Sequence, residues 1–288
     1  MTKTARVAFI GWGAINTRVG ALLAQRKAPI EIVGVATLDT PEARALIPAG
    51  VAFLSEPDQL TKLKPDLVVE AAGRAAIDRW APAALAAAPA MIIASTSAFT
   101  DDALLPRLTA IAEQHGSRIL VPSGAIGGID ALAGAAVLQL DDVLHQIVKP
   151  PVAWKNTPAE KLLDLDALRE RTVFFSGTAR VAASQYPQNA NATVVTSLAG
   201  IGLEKTRVEL VADPAARTNG HRIVASGAFG RMVMELQNNA LATNPKSSEL
   251  TALSLVRLIE NQVRTVVILR TPSGAAASSI SHTCAPSL

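Results

Sequence analysis

Continuous apolar runs dominate the first 121 residues, and segments of helical periodicity separate them. Arg6-Val-Ala-Phe-Ile10, Glu31-Ile-Val-Gly-Val-Ala-Thr-Leu38, Val51-Ala-Phe-Leu54, Leu67-Val-Val-Glu70, Met91-Ile-Ile-Ala94 and Arg118-Ile-Leu-Val121 read as strands. Strands that are apolar on both faces fit a parallel sheet covered by helices on both sides. The intervening segments are Ala-rich or amphipathic, and the one from Asp101 to His115 begins acidic, as suits a helix N-terminus. The pattern predicts an α/β, doubly wound Rossmann sheet over residues 1–122.

The character changes at Pro122-Ser-Gly-Ala-Ile-Gly-Gly-Ile-Asp130. A helix is predicted from Ala131 to Leu140. Alternating strands then follow at Val143–Lys149, Arg207–Ala212, His221–Ala225 and Arg231–Leu236, with a helix around Asn189–Ala199. Alternation implies a sheet with one wet face, so residues 123–243 are expected to form a second α+β domain with a mainly antiparallel sheet. Residues 244–270, opening on Asn244-Pro-Lys-Ser-Ser248, read as a capped helix reaching about Leu269. Its apolar face, Ala252, Leu255, Val256, Ile259, Val263 and Val266, is expected to pack back on the first domain and complete it. Residues 271–288, rich in Ser, Ala and Pro, read as a disordered tail.

Candidate chemistry gathers at the strand ends, where ligands of doubly wound sheets lie. Gly11-Trp-Gly13-Ala14-Ile15-Asn16 follows the first strand and opens a helix. Gly11 permits a tight turn and Gly13 a close backbone approach, while the amides of the helix start at Ala14 and Ile15 face a pyrophosphate. Asn16 stands where the third glycine of this motif is usual. Asp39, after the second strand, reads either as an acceptor for an adenosine ribose or as a turn or N-cap residue before Thr40-Pro41-Glu42. Glu70-Ala71-Ala72-Gly73, Ser95-Thr96-Ser97 and Ser123-Gly124-Ala125 end the later strands and read either as small residues that make turns or as ligand contacts converging on one crevice.

Composition narrows the classes. A chain of 288 residues with 49% apolar and 18% charged residues is globular and long enough for two domains. The net charge of +3, with aromatics at 3% and no basic run, gives no nucleic-acid signal. One cysteine, Cys284, excludes an intramolecular disulfide and a cysteine metal cluster. No metal-ligand spacing, nucleophile elbow, membrane-length apolar run or leader pattern is present, so the expectation is a cytoplasmic, unanchored protein without a metal. Of four histidines, His115 ends a helix, His145 lies in a strand and His282 lies in the tail. His221 opens a strand after Thr218-Asn-Gly220 and reads either as a surface residue or as an acid/base at the crevice rim. With no other reactive constellation, the chemistry falls to a cofactor, which points to hydride transfer.

Several stretches together resemble the L-aspartate dehydrogenase family. They are Gly11 to Ile15, Pro122 to Asp130, Gly177-Thr-Ala-Arg180, Tyr186-Pro-Gln-Asn-Ala-Asn191 and Leu198-Ala-Gly-Ile-Gly-Leu203. Arg207 to Pro214, Asn219 to Gly230 and Asn244 to Ser248 complete the set. The resemblance implies oxidation of L-aspartate to iminosuccinate with NAD or NADP, the imine then hydrolysing to oxaloacetate and ammonia or feeding NAD biosynthesis. It implies that His221 is catalytic and that Ala125 and Asn191 contact the cofactor. A small dicarboxylic amino acid calls for cations, and Lys149, Arg222 and Lys246 are the candidates. Asp39 favours NAD, since it would repel a 2′-phosphate. A homodimer is expected. Two rival readings stand beside this one: another imine or amino-acid dehydrogenase of the same architecture, like dihydrodipicolinate reductase or diaminopimelate dehydrogenase, and a non-catalytic NAD-binding sensor.

Overall fold

A computed structural model describes residues 4–267. The apolar runs become β1 (Ala5–Ile10), β2 (Ile30–Ala36), β3 (Ala52–Leu54), β4 (Leu67–Glu70), β5 (Ala90–Ile93) and β6 (Arg118–Leu120). They pair in parallel in the order β3-β2-β1-β4-β5-β6. Between them run α1 (Ala14–Gln25), α2 (Pro41–Ala45), α3 (Gln59–Leu63), α4 (Arg74–Ala87) and α5 (Leu104–His115). Strand alternation divides the core into two layers. Ala8, Ile10, Val68, Met91 and Ile93 face Ile77, Leu85 and Leu108 of α4 and α5. Val7, Phe9, Val35, Val69 and Ile92 face Val19 and Leu23 of α1. The order reverses between β1 and β4, which opens a crevice at their carboxyl ends.

The second region holds α6 (Ile129–Ala135), β7 (Leu140–Lys149), β8 (Thr172–Thr178), α7 (Ala179–Gln185), α8 (Ala190–Ala199), β9 (Arg207–Ala212), β10 (Asn219–Gly227) and β11 (Gly230–Asn238). Its sheet runs β11-β10-β7-β9-β8. All neighbours are antiparallel except β7 and β9, which pair in parallel, so the sheet is mixed. Ala183 of α7 and Ala190 and Val194 of α8 enter the core layer shared with the first sheet. Arg180 ties the two regions together, donating to the Thr100 carbonyl and to Asp102.

Three boundaries differ from the sequence reading. The helix expected at 131–140 is α6, which ends at Ala135, and β7 already begins at Leu140. The helix expected at 244–270 is two elements. Residues Asn244–Ser248 form β13, paired with β12 (Ala240–Leu241), and only Glu249–Glu260 is helical (α9). Of the cap-like residues only Ser248 caps, its Oγ accepting from the Leu250 amide. Beyond Glu260 the chain turns, and Val266 is exposed rather than on an apolar face. Ala252, Leu255, Val256 and Ile259 do pack in the layer with Val7 and Phe9, and Glu260 accepts from Arg26 at 2.5 Å. Residues 271–288, with Cys284 and His282, lie outside the described residues.

Candidate active site

The glycine turn is built by contact between loops. Gly11 has φ +85°, and a Cβ there would stand 2.7 Å from the Ala72 Cα, so only glycine lets the loops after β1 and β4 touch. Gly13 and Gly73 face open space. No side chain caps α1, whose first amides are left facing that space. A negatively charged diphosphate fits such a cradle. Asn16 is buried, and its Nδ2 donates to the Gly11 carbonyl at 2.7 Å and to that of Ile10 at 3.3 Å. It therefore clamps α1 to the turn. The close helix approach falls instead to Gly20, where a Cβ would lie 2.9 Å from the Trp12 ring.

Glu70 is fully buried. One carboxylate oxygen accepts from the Ala72 and Gly73 amides and the Ser95 hydroxyl at 2.7, 3.0 and 2.7 Å, and the other from the Ser95 amide at 3.1 Å. All its contacts serve the loops after β4 and β5, so it shapes the crevice and does not line it. Ser97 likewise turns inward, donating its amide to Asn191 Oδ1 at 2.8 Å. Asp39 is exposed and paired with Arg44 at 2.7 Å; the helix cap beside it is Thr40.

Between the two sheets lies a crevice of about 330 Å³. Ile15, Ala71, Gly73, Ala125 and Asn191 line it, together with Lys149, His221 and Lys246. No aspartate or glutamate among the described residues does so. Alternation along β7 puts Val143, His145, Ile147 and Lys149 on one face, and β10 brings His221 beside them through the pair His221↔Ile147. His221 Nδ1 stands 3.0 Å from His145 Nε2, and His145 Nδ1 stands 3.1 Å from Thr196 Oγ1. Burial, and next the charge of Lys149, push the His221 pKa down to about 3. Burial alone brings Lys149 down to about 8. Its Nζ donates to Asn189 Oδ1 at 2.7 Å and lies 4.9 Å from the centre of the Trp154 ring, and no carboxylate pairs with it among the described residues.

Arg222, next to His221 on β10, points to the opposite face. It lines a second hollow of about 650 Å³ with Arg171 and Glu235, which His221 also borders, and its Nη1 donates to Gln146 at 3.4 Å. Strand alternation thus removes it from the crevice. Lys246 sits exposed at the rim. Sequence reasoning passed over His145, Thr196, Asn189 and Asn238, whose Nδ2 donates to the Ala125 carbonyl at 2.8 Å. A signal did exist for His145, since the alternation of β7 places it inward. Among the described residues no cluster of metal-binding side chains occurs, and no helix is long and apolar enough to cross a membrane.

Residues 130–262 match the family described as aspartate dehydrogenase, C-terminal, and residues 11–122 match the homoserine dehydrogenase NAD-binding domain. L-aspartate dehydrogenase of Brucella anthropi is 52% identical over 268 residues, spanning 93% of this chain and 100% of its own. That of Cupriavidus necator is 42% identical over 91% of this chain and 99% of its own. The crystal structure of aspartate dehydrogenase from Thermotoga maritima superposes with a TM-score of 0.71 at 29% identity, covering 92% of this chain and 99% of that one.

Proposed function

The chain belongs to the L-aspartate dehydrogenase family, and from that premise we propose how its crevice oxidises L-aspartate. The enzyme is a nicotinamide-dependent oxidoreductase. The observation that carries the proposal is a crevice lined by lysines and, among the described residues, by no aspartate or glutamate, with a buried histidine beside a glycine turn. Gly11, Gly13 and the α1 amides of Ala14 and Ile15 would hold the cofactor diphosphate, and Ala71, Gly73, Ala125 and Asn191 bound the crevice. A nicotinamide held there would supply the acceptor for the hydride that leaves the substrate Cα. Lys149, desolvated and without an anionic partner among the described residues, takes one substrate carboxylate, and Lys246 at the rim faces the other. His221, neutral at working pH, removes the proton from the substrate nitrogen as the C=N bond forms. Iminosuccinate then hydrolyses to oxaloacetate and ammonia. NADH formation from L-aspartate at alkaline pH, in wild type and His221→Ala, tests this. Turnover lost by at least a hundredfold in the variant supports it; NADH binding without turnover of aspartate, or of oxaloacetate with ammonia, sinks it.

NAD is the favoured cofactor on this reading: the Asp39 carboxylate after β2, paired with Arg44 at 2.7 Å, would have to leave that arginine to accept from ribose hydroxyls and repel a 2′-phosphate. Asp39→Ala should erode the preference for NAD over NADP, and an unchanged preference removes Asp39 from the site. A homodimer through the open face of the second sheet, where Val173 and Val233 are exposed, is the expected assembly. A monomer in sedimentation equilibrium would exclude it.

A further inference from the structure

Behind His221 stand two buried side chains that the chemistry above does not use, His145 from β7 and Thr196 from α8. Both have zero exposure, and the row Thr196–His145–His221 is continuous at 3.1 and 3.0 Å. Two neutral rings in a row can be protonated in two ways, with every N–H pointing toward the crevice or every N–H pointing away from it. Thr196 decides between them. Its hydroxyl lies 3.1 Å from the Ala192 carbonyl, four residues back in the helix, and a carbonyl can only accept. With the hydroxyl proton on Ala192, the Oγ1 lone pair takes an N–H from His145 Nδ1. His145 Nε2 is then an acceptor, so the proton of His221 sits on Nδ1 and its Nε2 is bare. Lys149 works in the same sense: its ammonium lines the crevice and favours a lone pair there over an N–H. The only other charged side chain lining the crevice among the described residues is Lys246, also a cation.

We propose that His145 and Thr196 are positioning residues that fix His221 as its Nδ1–H tautomer, presenting an unprotonated Nε2 to the substrate. The consequence for turnover rests on the reading of His221 as the acid/base; the tautomer itself does not. When Nε2 takes the substrate proton, Nδ1–H stays donated to His145, which stabilises the imidazolium without a carboxylate.

The test reads tautomer and turnover separately. Two-bond ¹⁵N–¹H spectra of ¹⁵N-histidine-labelled full-length protein near neutral pH, with His145 and His221 assigned by substitution, should show both protonated on Nδ1 and bare at Nε2. Thr196→Val, which keeps the shape and removes the hydroxyl, should turn His221 into a mixture of tautomers; Thr196→Ser should restore the single form. In parallel, Thr196→Val should lower kcat about tenfold while the aspartate KM stays within about twofold, and Thr196→Ser should recover kcat. Wild-type His221 protonated on Nε2 overturns the proposal without need of any variant, as does a tautomer unmoved by Thr196→Val. If the tautomer shifts as expected while kcat holds, the positioning role falls together with the reading of His221 as the base, and only the tautomer assignment survives.

Discussion

Replacing Lys149 with methionine should make the free enzyme more stable and a poorer catalyst. Burial lowers the Lys149 pKa from 10.5 to about 8. At 1.36 kcal/mol per unit, holding its ammonium in the crevice costs about 3 kcal/mol. Against that stand the hydrogen bond to Asn189 and the ring contact with Trp154, together worth about 2 kcal/mol. Lys149→Met, similar in length, should therefore raise stability by about 1 kcal/mol in urea titrations at pH 7. The sign with pH follows. The unfolded lysine keeps its proton up to 10.5 and the folded one releases it near 8, so the penalty is complete below 8 and fades as pH rises toward 10.5. Wild type should gain about 3 kcal/mol across that window relative to Lys149→Met, so the two curves should cross within it and wild type should be the more stable at its upper end. Losing a charge-assisted contact to a substrate carboxylate, worth about 2–3 kcal/mol, should cut kcat/KM for aspartate by about 30- to 150-fold. A variant less stable than wild type at pH 7, with kcat/KM unchanged, would refute both the buried-charge penalty and the carboxylate role.

Two further substitutions probe the frame of the site. Glu70→Gln replaces acceptor oxygens by an amide that cannot receive all the donors now pointing at the carboxylate, so stability should fall by about 2–4 kcal/mol and NADH affinity with it; unchanged NADH affinity would show that the loops after β4 and β5 hold without it. Asn16→Gly restores the usual glycine of the turn but loses the bonds to the Gly11 and Ile10 carbonyls and adds a helix glycine, which should cost about 2 kcal/mol in urea titrations. Since Asn16 Oδ1 is buried without a partner among the described residues, a stabilised variant would mean that this penalty outweighs the clamp.

The first sheet was legible because apolar runs such as Leu67–Val69 read the same in sequence and in a core covered on both sides. The second was harder, because alternation marks a strand's faces but not its neighbours. Nothing along β7 or β9 announces that they pair in parallel. The same gap hid the histidine pair: alternation along β7 turns His145 inward, yet only the pairing of β7 with β10 carries it to His221. Arg222 failed for the opposite reason, since its adjacency to His221 in sequence guarantees opposite faces in a strand. Glu70 at a strand end looked like a ligand contact, but a buried carboxylate there can equally serve loop amides, and the burial that decides the matter is tertiary. Residues 244–248 carried cap-like chemistry, and a short two-stranded ribbon offers too little periodicity to compete with it.

A crystal structure of the enzyme with NAD and succinate, an unreactive dicarboxylate, would test the central claim most directly. The account predicts a succinate carboxylate within hydrogen-bonding distance of Lys149 Nζ, with its chain beside His221 Nε2 and the cofactor diphosphate on the α1 amides. Succinate bound in the hollow around Arg171 and Arg222, with Lys149 still held by Asn189 alone, would contradict it.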